Sequence, residues 1–189
     1  MRRISIALVH YPVLDREGET VTTAITNLDL HDMARSSRTY GVDRLFIVHP
    51  VEAQRALAER IREHWVSGSG KKRIPDRATA LDVLAIVPSM ADVFQAMAPA
   101  EGRRGVELWT TAASARGLSV ATFGEARQAL EGEGPPVLIA FGTGWGLARE
   151  LVEDADTRIE PIRARADTGF NHLSVRAACA ISLDRLLGR

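Results

Sequence analysis

The sequence predicts an α/β fold: one doubly wound, mostly parallel sheet of about six strands, in a single domain over residues 1–189. Three observations predict it. Short apolar runs rich in Val, Ile and Leu alternate with segments of helical periodicity. The run Val137–Phe141, with Pro135-Pro136 before it and glycines after it, is apolar at every position, as a strand buried on both faces of a parallel sheet must be. The first helical segment is bracketed by two such runs, and a strand–helix–strand unit requires a parallel pair. A hydrophobic fraction of 46% and a charged fraction of 25% supply an ordinary globular core.

Ile4–Val9 is the first strand. The chain's start has the basic-then-apolar order of a signal peptide. Its apolar part stops at His10-Tyr11-Pro12, however, and no small-residue cleavage site follows. His10–Val21, with Pro12 and Gly18, reads as a loop. A helix follows from Asn27, which caps it, with Asp29 and Asp32 near its positive end. Leu30, Met33, Ala34 and Ser37 form its buried face, and Gly41 closes it. Val42–Pro50 is the second strand, and Val51–Glu63 is a helix with one apolar face.

His64–Arg77 reads as a glycine-rich loop carrying Lys71, Lys72, Arg73 and Arg77. With Trp65 it makes a candidate RNA contact. A solvated loop with Trp65 anchored in the core fits the same residues. Ala78–Val83 is helical and Leu84–Val87 is the third strand. Ser89 and Asp92 have capping-box spacing and open a helix to Met97. Pro99–Gly105 is a turn and Val106–Thr111 the fourth strand. Thr122 and Glu125 form a second capping box, opening a helix to Leu130. After the Val137 strand, a helix from Leu147 to Glu153 and a short strand around Ile159–Ile162 complete the alternation.

Gly142, Gly144 and Gly146 follow the Val137 strand in the order G-x-G-x-G. This is neither the dinucleotide fingerprint nor a phosphate loop. Glycines at the carboxyl end of a buried strand suit a ligand loop, and they equally suit a tight strand-to-helix turn. In the last helix, capped by Asn171 or Ser174, residues Val175, Ala178, Cys179, Ser182, Leu183 and Leu186 share one face. The small residues Ala177–Ala180 let a ligand, a threaded backbone or another helix pack closely against its first turns.

The stretch Phe141-Gly-Thr-Gly-Trp-Gly-Leu147, followed by Asn171-His-Leu-Ser-Val-Arg-Ala-Ala-Cys-Ala-Ile181, resembles the SPOUT class of S-adenosylmethionine-dependent RNA methyltransferases. The likeness is closest to a small, single-domain bacterial branch and covers nearly the whole chain. The resemblance implies a C-terminal trefoil knot. It implies S-adenosylmethionine held by three loops: Thr110, Thr111 and Ala112; Phe141, Gly142, Thr143, Gly144, Trp145 and Gly146; and Ile162 with Asn171, His172, Leu173 and Ser174. Within the last, Leu173 and Ile162 are the adenine-packing candidates. It also implies Asn27 and Arg35 in the first class motif, with Arg35 meeting RNA phosphate or the target ribose, where a guanidinium offers a bidentate fork.

For proton removal the candidates are Asp167, His172, Asp29 and Asp32. Asp167 stands where some relatives that methylate a guanine ring nitrogen use an aspartate, although its flanking residues differ from theirs. The glycine loop also lacks the glutamate of many ribose-methylating relatives. The reading is therefore an enzyme acting on a nucleotide of tRNA or rRNA, completed as a homodimer. A non-catalytic knotted RNA- or ribosome-binding protein is the alternative.

Formal net charge is zero, so RNA must be gripped through a local patch or with help from a second subunit. No apolar run approaches the roughly 20 residues of a membrane span. Cys179 is the only cysteine, which excludes an internal disulfide and a cysteine-based zinc site; no metal is expected, and the cytoplasm is the expected compartment.

Overall fold

The computed structural model describes residues 2–115, 117–166 and 168–189. Six parallel strands form one sheet: β1 (Ile4–Val9), β4 (Leu45–Val48), β5 (Leu84–Val87), β6 (Glu107–Thr110), β7 (Val137–Gly142) and β8 (Thr157–Arg158). Their spatial order is β5-β4-β1-β7-β6-β8. The chain thus builds outward from β1 through β4 to β5, then returns to fill the other half, placing β7 beside β1. The carboxyl ends around that reversal are where an open α/β sheet leaves a crevice for ligand.

The expected burial on both faces is met by alternation within each strand. Ile4, Ile6 and Leu8 of β1 join one core, and Ala7 and Val9 join the other. In β7, Val137, Ile139 and Phe141 face the first core while Leu138 and Ala140 face the second. The first core lies under α1 (Asn27–Thr39), α2 (Glu52–Val66), α4 (Pro75–Leu81), α6 (Phe123–Glu131) and α8 (Val175–Leu187). The second lies under α5 (Met90–Met97) and α7 (Arg149–Glu153). Helices therefore cover both faces, as expected of a doubly wound sheet.

Helix α8 runs alongside α1 and is tied to it at both ends. Arg176 Nη1 donates to Asp29 Oδ1 at 2.9 Å, and its Nε lies 3.2 Å from Asp32 Oδ2. At the other end Tyr40 Oη donates to Asp184 Oδ1 at 2.9 Å.

Several sequence expectations shift. Thr26, not Asn27, caps α1. Its backbone is extended (φ −111°), and its hydroxyl accepts from the Asp29 N–H at 3.1 Å while donating to Asp29 Oδ2 at 2.7 Å. Asn27 is the first helical residue. Likewise Ser174, not Asn171, caps α8.

The segment read as a loop over His10–Val21 contains a small antiparallel hairpin, β2 (Val13–Leu14) with β3 (Thr20–Val21), turning at Gly18 (φ +87°). The segment read as a basic loop is mostly helical. Helix α2 continues through Trp65, and α3 (Ser69–Arg73) and α4 follow directly. Gly70 signals close packing there, because a Cβ at that position would stand 2.6 Å from Trp65 Cε3. Pro75 sits at the first turn of α4, where a missing N–H costs nothing. The last strand is Thr157–Arg158 rather than the stretch around Ile159–Ile162; Ile159 makes an isolated bridge to Ala121 and Ile162 follows in irregular chain.

Candidate active site

Strand β7 delivers the glycine loop to the carboxyl edge of the sheet, and the β2–β3 hairpin locks it there. Leu14 N–H donates to the Gly146 carbonyl at 2.8 Å, and Trp145 N–H donates to the Leu14 carbonyl at 2.9 Å. Thr143 N–H reaches the Val9 carbonyl at 3.2 Å, joining the loop to the end of β1. Gly144 has φ +58°, and a Cβ there would meet the Leu14 carbonyl oxygen at 2.8 Å. A Cβ on Gly142 would meet Leu147 N at 2.5 Å. Both glycines are thus required by close backbone approach.

Beneath the loop lies a buried polar relay. Thr143 Oγ1 shares a short hydrogen bond with Thr23 Oγ1, which is 3.0 Å from His10 Nδ1. His10 is fully buried, its ring packs at 5.5 Å from that of His49, and its Nε2 has no hydrogen-bond partner among the described residues. Burial first, then the neighbouring His49, lower its pKa to about 4, so the ring stays neutral.

A cavity of about 820 Å³ opens on this loop. Every residue expected in the three loops lines it: Thr110, Thr111 and Ala112 at the end of β6; Phe141 through Gly146; and Ile162 with Asn171, His172, Leu173 and Ser174. Asn171 Nδ2 donates to the Ala113 carbonyl at 3.2 Å, closing the last segment onto the β6 loop. Phe141 is buried; Trp145 and Leu173 of the lining are exposed, as is Phe170 next to His172. His172 stands at 5.8 Å from Trp145 in an edge-on contact and 5.2 Å from Phe170. Val175, Ala178 and Ser182 of α8 also face the cavity, which is what the small residues of its first turns permit.

One wall was only partly read from the sequence: Asp29 stood among the candidates for proton removal, whereas Ala24 and Thr26, beside it at the start of α1, were not expected at the site. Asp29 is buried, its carboxylate held by Thr26 on one oxygen and by Arg176 on the other. The capping spacing of Thr26 and Asp29 was the available signal. Glu160 is the other described acid of the lining, and its Oε1 already accepts from the Phe123 N–H at 2.8 Å. Asp32 is half-exposed and does not line the cavity. Asp167 lies outside the described residues.

Asn27 and Arg35 do not join this cavity. Both are exposed on the other side of α1, and Asn27 lines a separate shallow groove with Arg60, Ile61, His64 and Trp65. Lys71, Lys72 and Arg73 are exposed on α3, while the Arg77 guanidinium lies 4.5 Å above the Trp65 ring. Among the described residues no His/Cys/Asp/Glu group could hold a metal ion, and no helix is long and apolar enough to cross a membrane.

Comparison with known proteins adds to this geometry. A family model described as SAM-dependent RNA methyltransferase matches residues 3–188. The chain is 43% identical over 187 residues to a tRNA (guanine-N(1)-)-methyltransferase of Nitratidesulfovibrio vulgaris, covering 99% of this chain and 42% of that protein. It therefore spans less than half the length of that curated relative. It is 35% identical over 186 residues to an uncharacterized protein of Aquifex aeolicus, covering 98% of this chain and 89% of the relative.

Among solved structures, TrmJ from Z. mobilis aligns with TM-score 0.58 at 21% identity, over 96% of this chain and 67% of that one. The A. aeolicus TrmH/SpoU tRNA modifying enzyme aligns with TM-score 0.56 at 17% identity, over 99% and 75%. At these identities the likeness is one of fold.

Proposed function

The chain belongs to the family of S-adenosylmethionine-dependent RNA methyltransferases and has the SPOUT fold; from that premise we propose that it methylates a nucleotide of tRNA or rRNA, with the cavity described above as the donor site. The observation that carries the reading is convergence. Three loops far apart in sequence line one cavity of about 820 Å³, within the range of small-molecule sites.

The residues fit the donor. Phe141, Ile162 and Leu173 offer apolar surface for an adenine ring. Backbone groups of the Thr110–Ala113 and Gly142–Gly146 loops offer the polar contacts, and the two glycines let that backbone come close. When bound, S-adenosylmethionine supplies a methyl group on a sulfonium.

The chain's own residues then have three tasks. The glycine loop, fixed by the hairpin, aligns donor and acceptor. Asp29 faces the cavity from the α1 wall. Each of its carboxylate oxygens keeps a lone pair beyond the bonds to Thr26 and Arg176, so it can orient or take the acceptor's proton. His172 and Asp167 are the other groups proposed for the proton. Arg35 and Asn27, turned away from the protomer's own cavity, are assigned to RNA, together with Lys71, Lys72, Arg73 and Arg77.

The class likeness further supports a trefoil knot around α8, a homodimer in which the second copy completes the acceptor site, action as one domain, and a cytoplasmic setting. The relatives named as tRNA methyltransferases favour tRNA over rRNA. Their guanine-N1 specificity belongs to proteins more than half of which lies outside the match, and it is not carried over.

Titration calorimetry with S-adenosylmethionine tests the donor site. Micromolar binding with S-adenosylhomocysteine competing is expected. Absence of binding at millimolar concentration would sink the donor site and move the chain toward a non-catalytic RNA binder.

A further inference from the structure

The groove beside α1 is the feature that the donor cavity leaves unexplained. It has a volume of about 410 Å³ and is lined by Asn27, Arg60, Ile61, His64 and Trp65. On α2, Arg60, Ile61, His64 and Trp65 are spaced i, i+1, i+4, i+5, which sets them on one stripe. By the same 100° periodicity, the acids Glu59 and Glu63 fall on the flank away from that stripe.

The cations here are available. Arg35 and Arg60 are exposed and have no carboxylate partner among the described residues. Arg77 lies over the Trp65 ring and has no carboxylate partner among the described residues. The nearest acid on α1, Asp32, is taken by Arg176. Arg77 and Arg35 converge from two helices on His31, whose pKa is lowered by burial first and then by Arg77, with Arg35 adding to it and Asp32 opposing. A chain of zero net charge therefore gathers here three arginines that lack a carboxylate partner among the described residues.

The chemistry selects a backbone rather than a base. The Trp65 ring is covered by Arg77 on one side, while Gly70 packs so closely on it that a Cβ would stand 2.6 Å from Cε3. The ring is thus not free to stack with a nucleobase. What the groove presents is guanidinium, imidazole and amide, which are groups suited to phosphate and ribose oxygens.

The groove and the donor cavity flank the first turn of α1 on opposite sides. Asn27 lines the groove, while Thr26 and Asp29 line the cavity. Thr26 and Asp29 are one and two positions from Asn27 in the chain, so both hollows open at the same end of α1.

Resting on the methyltransferase reading, we infer that this groove holds the phosphodiester backbone of the RNA strand next to the target nucleotide. Arg60, with Asn27 and His64, is the contact set, and Arg35 and Arg77 provide its field. The strand is thereby led over the start of α1, so that the following nucleotide meets the cavity beside Asp29.

The test is fluorescence anisotropy of the full chain with a fluorescein-labelled tRNA transcript at a series of KCl concentrations. Arg60→Gln and Arg60→Glu are compared with Arg149→Gln, a control that removes an exposed charge from α7. The expected result is weakening of about 3-fold for Arg60→Gln and at least about 10-fold for Arg60→Glu. The slope of log Kd against log salt should fall by about one, because one phosphate fewer is neutralised by the protein. Affinity for S-adenosylmethionine should be unchanged, and Arg149→Gln should behave as wild type.

Wild-type tRNA affinity in Arg60→Glu would overturn the groove and leave the RNA reading intact. A changed oligomeric mass in Arg60→Glu would overturn it in favour of a contact between copies. No RNA binding by the wild-type chain would overturn the RNA reading itself, and the groove with it.

Discussion

The two walls of the proposed donor cavity are built on different principles. The glycine loop is held by its own backbone: Leu14, Val9 and Pro12 engage the chain from Thr143 to Ala148, and Thr143 is pinned from below by Thr23. The opposite segment, Ile162 to Leu173, is exposed from Arg163 to Ala166 and from Thr168 to Leu173. Among the described residues its bonds include a local one, Thr168 to Phe170, and one across to the β6 loop, Asn171 to Ala113, with ring contacts of His172 to Phe170 and Trp145. One wall is fixed by backbone bonds from β1 and the hairpin, and the other is largely exposed. A cavity proposed to take a cofactor and an RNA nucleotide benefits from that division, because a rigid wall sets geometry and an exposed wall permits entry.

The rigid wall should be the easier one to break. Valine at Gly144 would need φ +58° for a β-branched residue and would drive its Cβ into the Leu14 carbonyl. Strain and displacement together cost about 3 kcal/mol, or roughly 100-fold in S-adenosylmethionine affinity by calorimetry. A variant that binds normally would show that the loop does not form the donor site.

The relay under that wall should give it a pH dependence. His10 has its pKa lowered from 6.5 to about 4 in the fold, so between those values the unfolded chain binds a proton that the native chain refuses. Stability is therefore fully present above pH 6.5 and falls as pH drops toward 4, by up to about 3 kcal/mol. His49, lowered by burial, acts in the same direction. Urea unfolding midpoints at pH 7.5 and 4.5 measure this, and His10→Asn should flatten most of the slope. An equal slope in that variant would assign the pH dependence elsewhere.

Between the walls, Arg176 joins α8 to α1. Its removal leaves the buried Asp29 with Thr26 alone, and Arg176→Ala should cost about 2 kcal/mol of stability, a drop of about 5 °C in Tm. Asp32→Ala removes only a half-exposed partner and should cost about 0.3 kcal/mol. Equal losses in the two variants would mean that the pairing acts through surface charge.

How much of this was legible in the sequence follows from the same contrast. Strand β7 and its glycines were readable because burial on both faces and close backbone approach leave only apolar and glycine residues as solutions. The buried face of α8 was readable as a period. Less visible was anything decided by partners distant in sequence. The β2–β3 hairpin carries no alternating pattern, yet its Leu14 explains why Gly144 must be glycine. Gly68 and Gly70 suggest a loop by composition, whereas Gly70 admits the Trp65 ring. Asn27 and Thr26 both suit an N-cap, and only the fold sends one to the groove and the other to the cavity.

The smallest predicted effect sharpens the comparison most. Leu173 lines the cavity from the loosely tied wall and is 47% exposed, so it contributes little to the folded chain as it stands. If it covers the adenine ring, its burial occurs only on binding. Truncation to Ala should then cost about 1 kcal/mol, a five- to sixfold weaker Kd for S-adenosylmethionine, with no change in Tm. A fall in Tm with unchanged Kd would reverse the assignment, making this wall part of the scaffold. Measured with Gly144→Val, the pair separates a wall that sets the pocket's shape from one that adds contact only after the ligand has arrived.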